Sequence, residues 1–263
     1  MPSDPRKQAA TLLNAHFNRQ PFRVLDLPDC ASAYRVQDEV VALLEAHGAG
    51  RREGYKIALA SPAVQRKCGL REPIVGAVLE TGLRWNSADI DLENYQHLGV
   101  ECEICFQMGQ ALDAAAAPFT QETVMAAVDL VCPALDVLDD RHLDYAALHP
   151  PSLIAENTCS AGVILGGWKP LRKLDLETMV AQVSVFMADE AEGASEQSVR
   201  VADSLDHAAL LTWLANHLAG RGIGMRAGEI VLSGALLPAL FPKPRSWLRY
   251  RLQSFDEVGA TFF

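Results

Sequence analysis

The sequence predicts an α+β fold with a strongly β middle. Three observations lead there. The first fifty residues carry helical periodicity, short apolar runs separated by turn residues begin at Gly54, and a long helix-patterned segment spans 203 to 219. At 263 residues the chain can bury a sizeable core, as one large domain or two small ones.

In order along the chain, residues 5 to 18 form a first candidate helix. The stretch DCASAYRVQDEVVALLEAHG (29 to 48) is a clearer one, with Ala33, Val36, Val40, Leu43 and Leu44 at helical spacing. Asp29 or Ser32 can cap its start, and Gly48 ends it. No Pro/Ser-rich linker follows, so residues 1–50 read as an N-terminal helical layer that is not an independent domain. Residues 51–263 form the main domain. Strands are expected at 54–60, 99–108, 132–139, 160–166, 180–188 and 229–233, and helices at 61–68, 120–131 and 203–219. In the last of these Leu205, Ala208, Leu211, Leu214 and Leu218 make one stripe, closed by Gly220 and Gly222. The polar segment DEAEGASEQ (189–197) reads as a hairpin tip.

Composition excludes several classes of function. A net charge of −10 argues against an electrostatic nucleic-acid binder. The longest apolar run, IVLSGALLPALF (230–241), is too short to cross a bilayer and contains Pro238. The opening MPSDPRKQAA lacks the apolar core of a secretory signal, and six scattered cysteines suit reduced thiols, so a cytoplasmic protein is expected. Cys102-x-x-Cys105 is no zinc pair, because residues three apart on a strand point to opposite faces.

The chemistry concentrates in GVECEICFQMG (99–109). As a strand it puts Val100, Cys102, Ile104 and Phe106 on one face and Glu101, Glu103, Cys105 and Gln107 on the other. Asp136 interrupts a second apolar run, VCPALDVLDDRH (131–142), on a face shared with Ala134 and Leu138. Ionised carboxylates removed from water cost several kcal/mol each unless neutralised. Three hard oxygen donors suit Mg²⁺ or Mn²⁺. Glu-x-Glu on a half-exposed strand is also commonly a solvated face, so these residues alone leave a cation site and a wet surface both open.

Several stretches taken in order extend the reading. EGYKIALASPAVQRKCGLREPIVGAVLE (53–80), GVECEICFQMG, CPALDVLDDR (132–141), IAENTCSAGVILGG (154–167), LLTWLANHLAGRGIGMRAGEIVLSGAL (210–236) and the closing VGATFF resemble the 2-keto-4-pentenoate hydratase / 4-oxalocrotonate decarboxylase family. The resemblance spans residues 5 to 263 and implies a fumarylacetoacetase-like mixed β-roll with flanking helices, assembled as a homo-oligomer. It implies Mg²⁺ (or Mn²⁺) held by Glu101, Glu103 and Asp136, with Lys56 as a proton-shuttling lysine whose pKa is lowered. Glu80, Glu156 and Ser160 are the further site residues it suggests.

The implied activity is a lyase adding water to a 2-hydroxy-2,4-dienoate or its 2-oxo tautomer, giving a 4-hydroxy-2-oxo acid in aromatic-compound catabolism. The alternatives are 4-oxalocrotonate decarboxylation, for which Arg66, Lys67 and Arg141 offer partners to a second carboxylate, and a non-catalytic subunit of a hydratase–decarboxylase complex. The sequence departs from the family pattern at several points. Asp136 stands for a glutamate and Glu156 for an aspartate. Pro73-Ile74-Val75-Gly76 replaces Pro-Asp-Phe-Gly, Ser233-Gly234-Ala235 replaces Ser-Gly-Ser, and VRVADSLDH (199–207) replaces a glycine-rich segment.

Overall fold

A computed structural model describes residues 4–186 and 195–263. Helix α1 (Pro5–Phe17) begins at Asp4, whose carboxylate accepts from Arg6 N, with Pro5 in its first turn. Helix α2 (Cys30–Leu44) is capped by Asp29 accepting from Ser32 N, and a π-turn over Glu45–Ala49 closes it with Gly48 at φ 93°. The two helices pack on each other, and α2 turns Ala33, Tyr34, Val36 and Val40 into the same core as Val100, Ile104 and Phe106.

Then follow β1 (Arg52–Ala58), α3 (Pro62–Lys67), β2 (Ile74–Leu79), β3 (Leu83–Trp85), β4 (Ser87–Ile90), β5 (Leu98–Met108), α4 (Gln121–Ala127) and β6 (Val128–Asp139). Beyond them come α5 (Pro150–Ala155), β7 (Ser160–Leu165), β8 (Lys169–Pro170), β9 (Val180–Phe186) and β10 (Ser195–Arg200). The chain ends with α6 (Val201–Ser204), α7 (His207–Gly220), β11 (Ile230–Ala235), β12 (Ser246–Leu252) and β13 (Val258–Phe262).

The strands form two mixed sheets. One runs β2-β1-β11-β5-β6-β7-β3, with β8 added on β6, and the other runs β10-β9-β12-β13-β4. The predicted α+β class and N-terminal helices are observed.

Two expectations are corrected, and a third lies largely outside the described residues. The helix placed at 120–131 stops at Ala127, and Val128 already opens β6, which pairs with β5 and β8. Val124, Ala127, Val128 and Val131 sit at helical spacing, but sheet pairing overrides local pattern there. The helix placed at 203–219 is two helices, divided at Asp206, which caps α7 by accepting from Ala209 N. The segment 189–197 lies partly outside the described residues, and Ser195–Gln197 belong to β10, paired antiparallel with β9.

Strands β2, β3, β4, β8, β10, β12 and β13 had no counterpart in the strand reading. Of these, β3, β4 and β8 have four residues or fewer, and β2 carries the uninterrupted apolar run of a buried strand rather than alternation.

Candidate metal centre

Four strands assemble the site. Glu101 pairs directly with Asp136 across β5 and β6, and Glu103 with Ala134. Directly opposed residues share a face, so this register delivers what alternation along one strand could not: the third carboxylate. One carboxylate oxygen from each of Glu101, Glu103 and Asp136 lies within 4.8 Å of the others. The shorter arm of Asp136 is compensated by its place directly opposite Glu101. Cys105 and Cys132 pair further along the same face in a small second cluster, while Cys102 faces the main core, so Cys102 and Cys105 do point apart.

On the other side of the triad β11 lies between β5 and β1. Its register slips between Leu232 and Ala235, and the bulge sets Gly234 at φ 102°, where its N–H donates to Glu103 Oε2 at 2.7 Å. A Cβ at Gly234 would lie 2.6 Å from Ala60 Cβ, so glycine is required both for the φ and for the approach. Beside it, Ser233 donates to Ile104 O and lies 2.8 Å from Nδ1 of buried His207, whose pKa burial pulls down to about 4, keeping the imidazole neutral.

Lys56, on β1, reaches the triad from this side. Its Nζ stands 2.5 Å from Asp136 Oδ2, and both side chains are buried. Opposite Lys56 in β2 is Gly76, where a Cβ would crowd Lys56 Cγ at 3.1 Å and Thr158 Oγ1 more closely still. The lysine stem thus owes its room to a missing side chain on the neighbouring strand.

Electrostatics test whether the residues fit a cation. Burial, followed by the charge on Asp136, pushes the Glu101 carboxyl up to about 7. Burial and the other two carboxylates push Glu103 well above the usual range, and burial raises Asp136 against the pull of Lys56. The triad is therefore strained as a set of bare charges.

Beyond the ion pair with Lys56, neither of the buried oxygens of Asp136 has a hydrogen bond. Three negative charges and one positive leave a net −2, which a divalent cation cancels. The donor set fits one. Lys56 departs from expectation. Burial alone would depress its pKa, but attraction to Asp136, Glu101 and Glu103 outweighs that and holds the ammonium above its ordinary value.

Lys56 and Glu101 open into a cavity of about 470 Å³. Across its wall stands a polar pair that the sequence reading missed. Asp140, 1 % exposed, accepts from Tyr145 OH at 2.9 Å and from His142 N at 2.9 Å, and lies 2.7 Å from His97 Nδ1. The only sequence signal was a second acid after β6 in LDDRH, with no periodicity to single it out.

The other predicted residues are not brought to the triad. Glu80 is exposed after β2, where its carboxylate accepts weakly from Arg51 N at 3.4 Å. Glu156 and Ser160 line a separate cavity of about 270 Å³ together with His16 and Tyr95, and Glu156 is ion-paired with buried Arg141. The segment between them forms the partition. Asn157, Thr158 and Cys159 take φ of 51°, 53° and 56°, and Thr158 and Cys159 face the Lys56 cavity.

This left-handed arch is held by the Asn157 carboxamide. It accepts from Ala77 N at 2.6 Å and donates to Ala77 O at 2.9 Å, as a neighbouring strand would along the sheet's edge strand β2. Asn157→Ala orphans two buried backbone groups, at about 1–3 kcal/mol each. The urea midpoint is expected to fall accordingly, with Asn157→Asp, which keeps the acceptor, intermediate. An unchanged midpoint in both variants would show that the arch holds without the side chain.

No protein-family model matches the chain. Its structure superposes on 4-oxalocrotonate decarboxylase from Pseudomonas putida G7, solved with magnesium and adipate, at a TM-score of 0.87. The match has 26 % identity and covers 98 % of this chain and 97 % of that one. A fumarylacetoacetate hydrolase family protein from Yersinia pestis shares the fold at a TM-score of 0.59 and 16 % identity, over 80 % and 92 % of the two chains. Fold and carboxylate triad together define a class, the fumarylacetoacetase-like proteins built around a divalent-cation site. At the level of sequence, 2-oxo-hept-4-ene-1,7-dioate hydratase from Escherichia coli is 32 % identical over 86 % of each chain. The chain belongs to the 2-keto-4-pentenoate hydratase / 4-oxalocrotonate decarboxylase family.

Proposed function

We propose that this protein is a metal-dependent hydro-lyase that hydrates a 2-hydroxy-2,4-dienoate, through its 2-oxo tautomer, to a 4-hydroxy-2-oxo acid. One observation carries hydration over decarboxylation: the cavity offers two proton-transfer groups, Lys56 beside the triad and Asp140 with Tyr145 on the wall. Adding water needs both a proton delivered to the diene and a base for the incoming water, whereas loss of CO₂ needs no such base.

Glu101, Glu103 and Asp136 would hold Mg²⁺ or Mn²⁺, which supplies Lewis-acid stabilisation of negative charge on the substrate's C2 oxygen. Lys56 Nζ delivers a proton to C5 and, left neutral, accepts the proton of the C2 hydroxyl. C4 is now electrophilic. Asp140 takes a proton from the water adding at C4 and returns it at C3, so the atoms of one water are gained and nothing else changes. Tyr145 keeps Asp140 in place: burial and the bond to Asp140 hold the phenol well above its usual pKa, so it remains a donor.

No helix among the described residues is long and apolar enough to cross a membrane. Unpaired cysteines support a place in the reducing cytosol. Exposed Trp85 and Phe263, at 59 % and 55 %, support self-association that would cover them, which light scattering reads as a mass above the monomer's.

The test of the activity is incubation with Mg²⁺ and 2-hydroxypenta-2,4-dienoate, following loss of diene absorbance, with an EDTA control and product identified by NMR. Metal-dependent formation of 4-hydroxy-2-oxopentanoate is expected. Turnover unaffected by EDTA, or CO₂ release from 2-oxo-hexenedioate with no hydration, would overturn the reading.

A further inference from the structure

We infer that the substrate's far end is apolar and uncharged, and that the cavity rejects a second carboxylate. The inference rests on the 2-oxo-acid reading of the triad, and its ground is the lining of the cavity beside it. Besides Lys56 and Glu101 the lining is largely aliphatic, with Leu143, Leu148 and Leu153, Val64 of α3, Leu205 and Leu237, and its uncharged polar groups include the hydroxyls of Ser61, Tyr145, Thr158 and Ser204. Asp140 is a second acid in this lining, and it repels an anion rather than receiving it.

What a second carboxylate needs is a cation, and the wall has none to spare. Residues 1–3 and 187–194 contain no Lys or Arg, so every such side chain of this protein lies in the described part. Of them Lys56 is the one that lines the cavity, and it is engaged by Asp136 at the triad end. Arg141 is committed to Glu156 behind the Asn157 arch. Arg66 and Lys67 are exposed on α3, whose contribution to the wall is Val64. An ionised carboxylate placed against these leucines loses its hydration with no cation to compensate it. A chain of methylenes in the same place gains roughly fourfold in affinity for each one buried. The cavity, at about 470 Å³, has room for such a tail. By contrast, the similar decarboxylase from Pseudomonas putida G7 was solved holding adipate, a diacid.

The experiment is calorimetric titration of the Mg²⁺-loaded protein with 2-oxobutyrate, 2-oxohexanoate and 2-oxoadipate. The last two have equal length and differ at the distal group. All three present the same 2-oxo acid to the triad, so 2-oxobutyrate reports on the triad reading alone. The expected result is 2-oxohexanoate tightest, and at least about tenfold tighter than 2-oxoadipate. Val64 is already 38 % exposed, so Val64→Arg sets a guanidinium at the wall without testing the fold, and it is expected to shrink or reverse that ratio. If 2-oxobutyrate binds and 2-oxoadipate binds as tightly as 2-oxohexanoate or better, the inference is overturned and the triad reading stands. If 2-oxobutyrate fails to bind, the triad reading falls and the inference falls with it.

Discussion

Magnesium added to the metal-free protein is expected to raise its melting temperature, and to raise it more at about pH 8 than at about pH 5.5. The sign follows from the triad. Glu101 has a folded pKa of about 7, above its ordinary value, and Glu103 and Asp136 are raised in the same direction. A carboxyl whose pKa is raised by folding favours the folded state below its unfolded pKa. That advantage is lost as pH climbs through the folded value. The metal-free protein therefore weakens between roughly pH 4.5 and pH 7 and stays weakened above that range.

A divalent cation takes up the strain only when the carboxylates are ionised, so protons compete with it at low pH and give way at high pH. At a metal concentration about a hundredfold above Kd the stabilisation is roughly 2.7 kcal/mol, or some 5–10 °C for a chain of this size. Melting curves in EDTA and in Mg²⁺ at the two pH values check this, with Glu103→Gln as the control that should erase the difference while the protein still melts cooperatively. An increment that shrinks as pH rises would contradict the triad as the binding site.

Much of this site was legible in the sequence, and the parts that were not share a cause. Strand alternation alone places Glu101 and Glu103 on one face. That Asp136 stands directly opposite Glu101 is a matter of register between strands, which no periodicity within either strand encodes. The pattern singled out Asp136 as an acid in an apolar run, the resemblance assigned it to the metal, and the structure sets it beside the two glutamates.

The expectations that moved lie where regular elements end: Glu80 follows β2 and goes to solvent, and Glu156 caps the end of α5 and goes to Arg141. Asp140 and Tyr145 occupy the irregular stretch after β6, where nothing in the pattern marks a cavity wall. The direction of the Lys56 shift was misjudged because burial was weighed without the three carboxylates around the ammonium. Local pattern thus supplied faces and caps. Charge balance belonged to the assembled sheet.

Lys56→Met is expected to lower kcat by at least about a thousandfold while Mg²⁺ binds as tightly as before or more tightly. The two halves of that outcome come from one count of charge. Removing the ammonium takes the cluster from net −2 to net −3, so its attraction for a dication grows. The same change leaves buried Asp136 with no partner, since neither of its oxygens has a hydrogen bond to fall back on. Breaking one side of a buried pair in this way costs about 3–5 kcal/mol. The variant should therefore be less stable than wild type in EDTA and recover most of the loss when Mg²⁺ is supplied.

A merely structural lysine would show the stability loss with kcat restored once the metal is bound. A lysine that moves the proton at C5 leaves kcat low in the fully loaded, fully folded protein. Calorimetric metal titration beside steady-state kinetics on 2-hydroxypenta-2,4-dienoate separates the two. A metal-loaded variant turning over within about tenfold of wild type would remove Lys56 from the proton path and leave it as the counter-ion that keeps Asp136 buried.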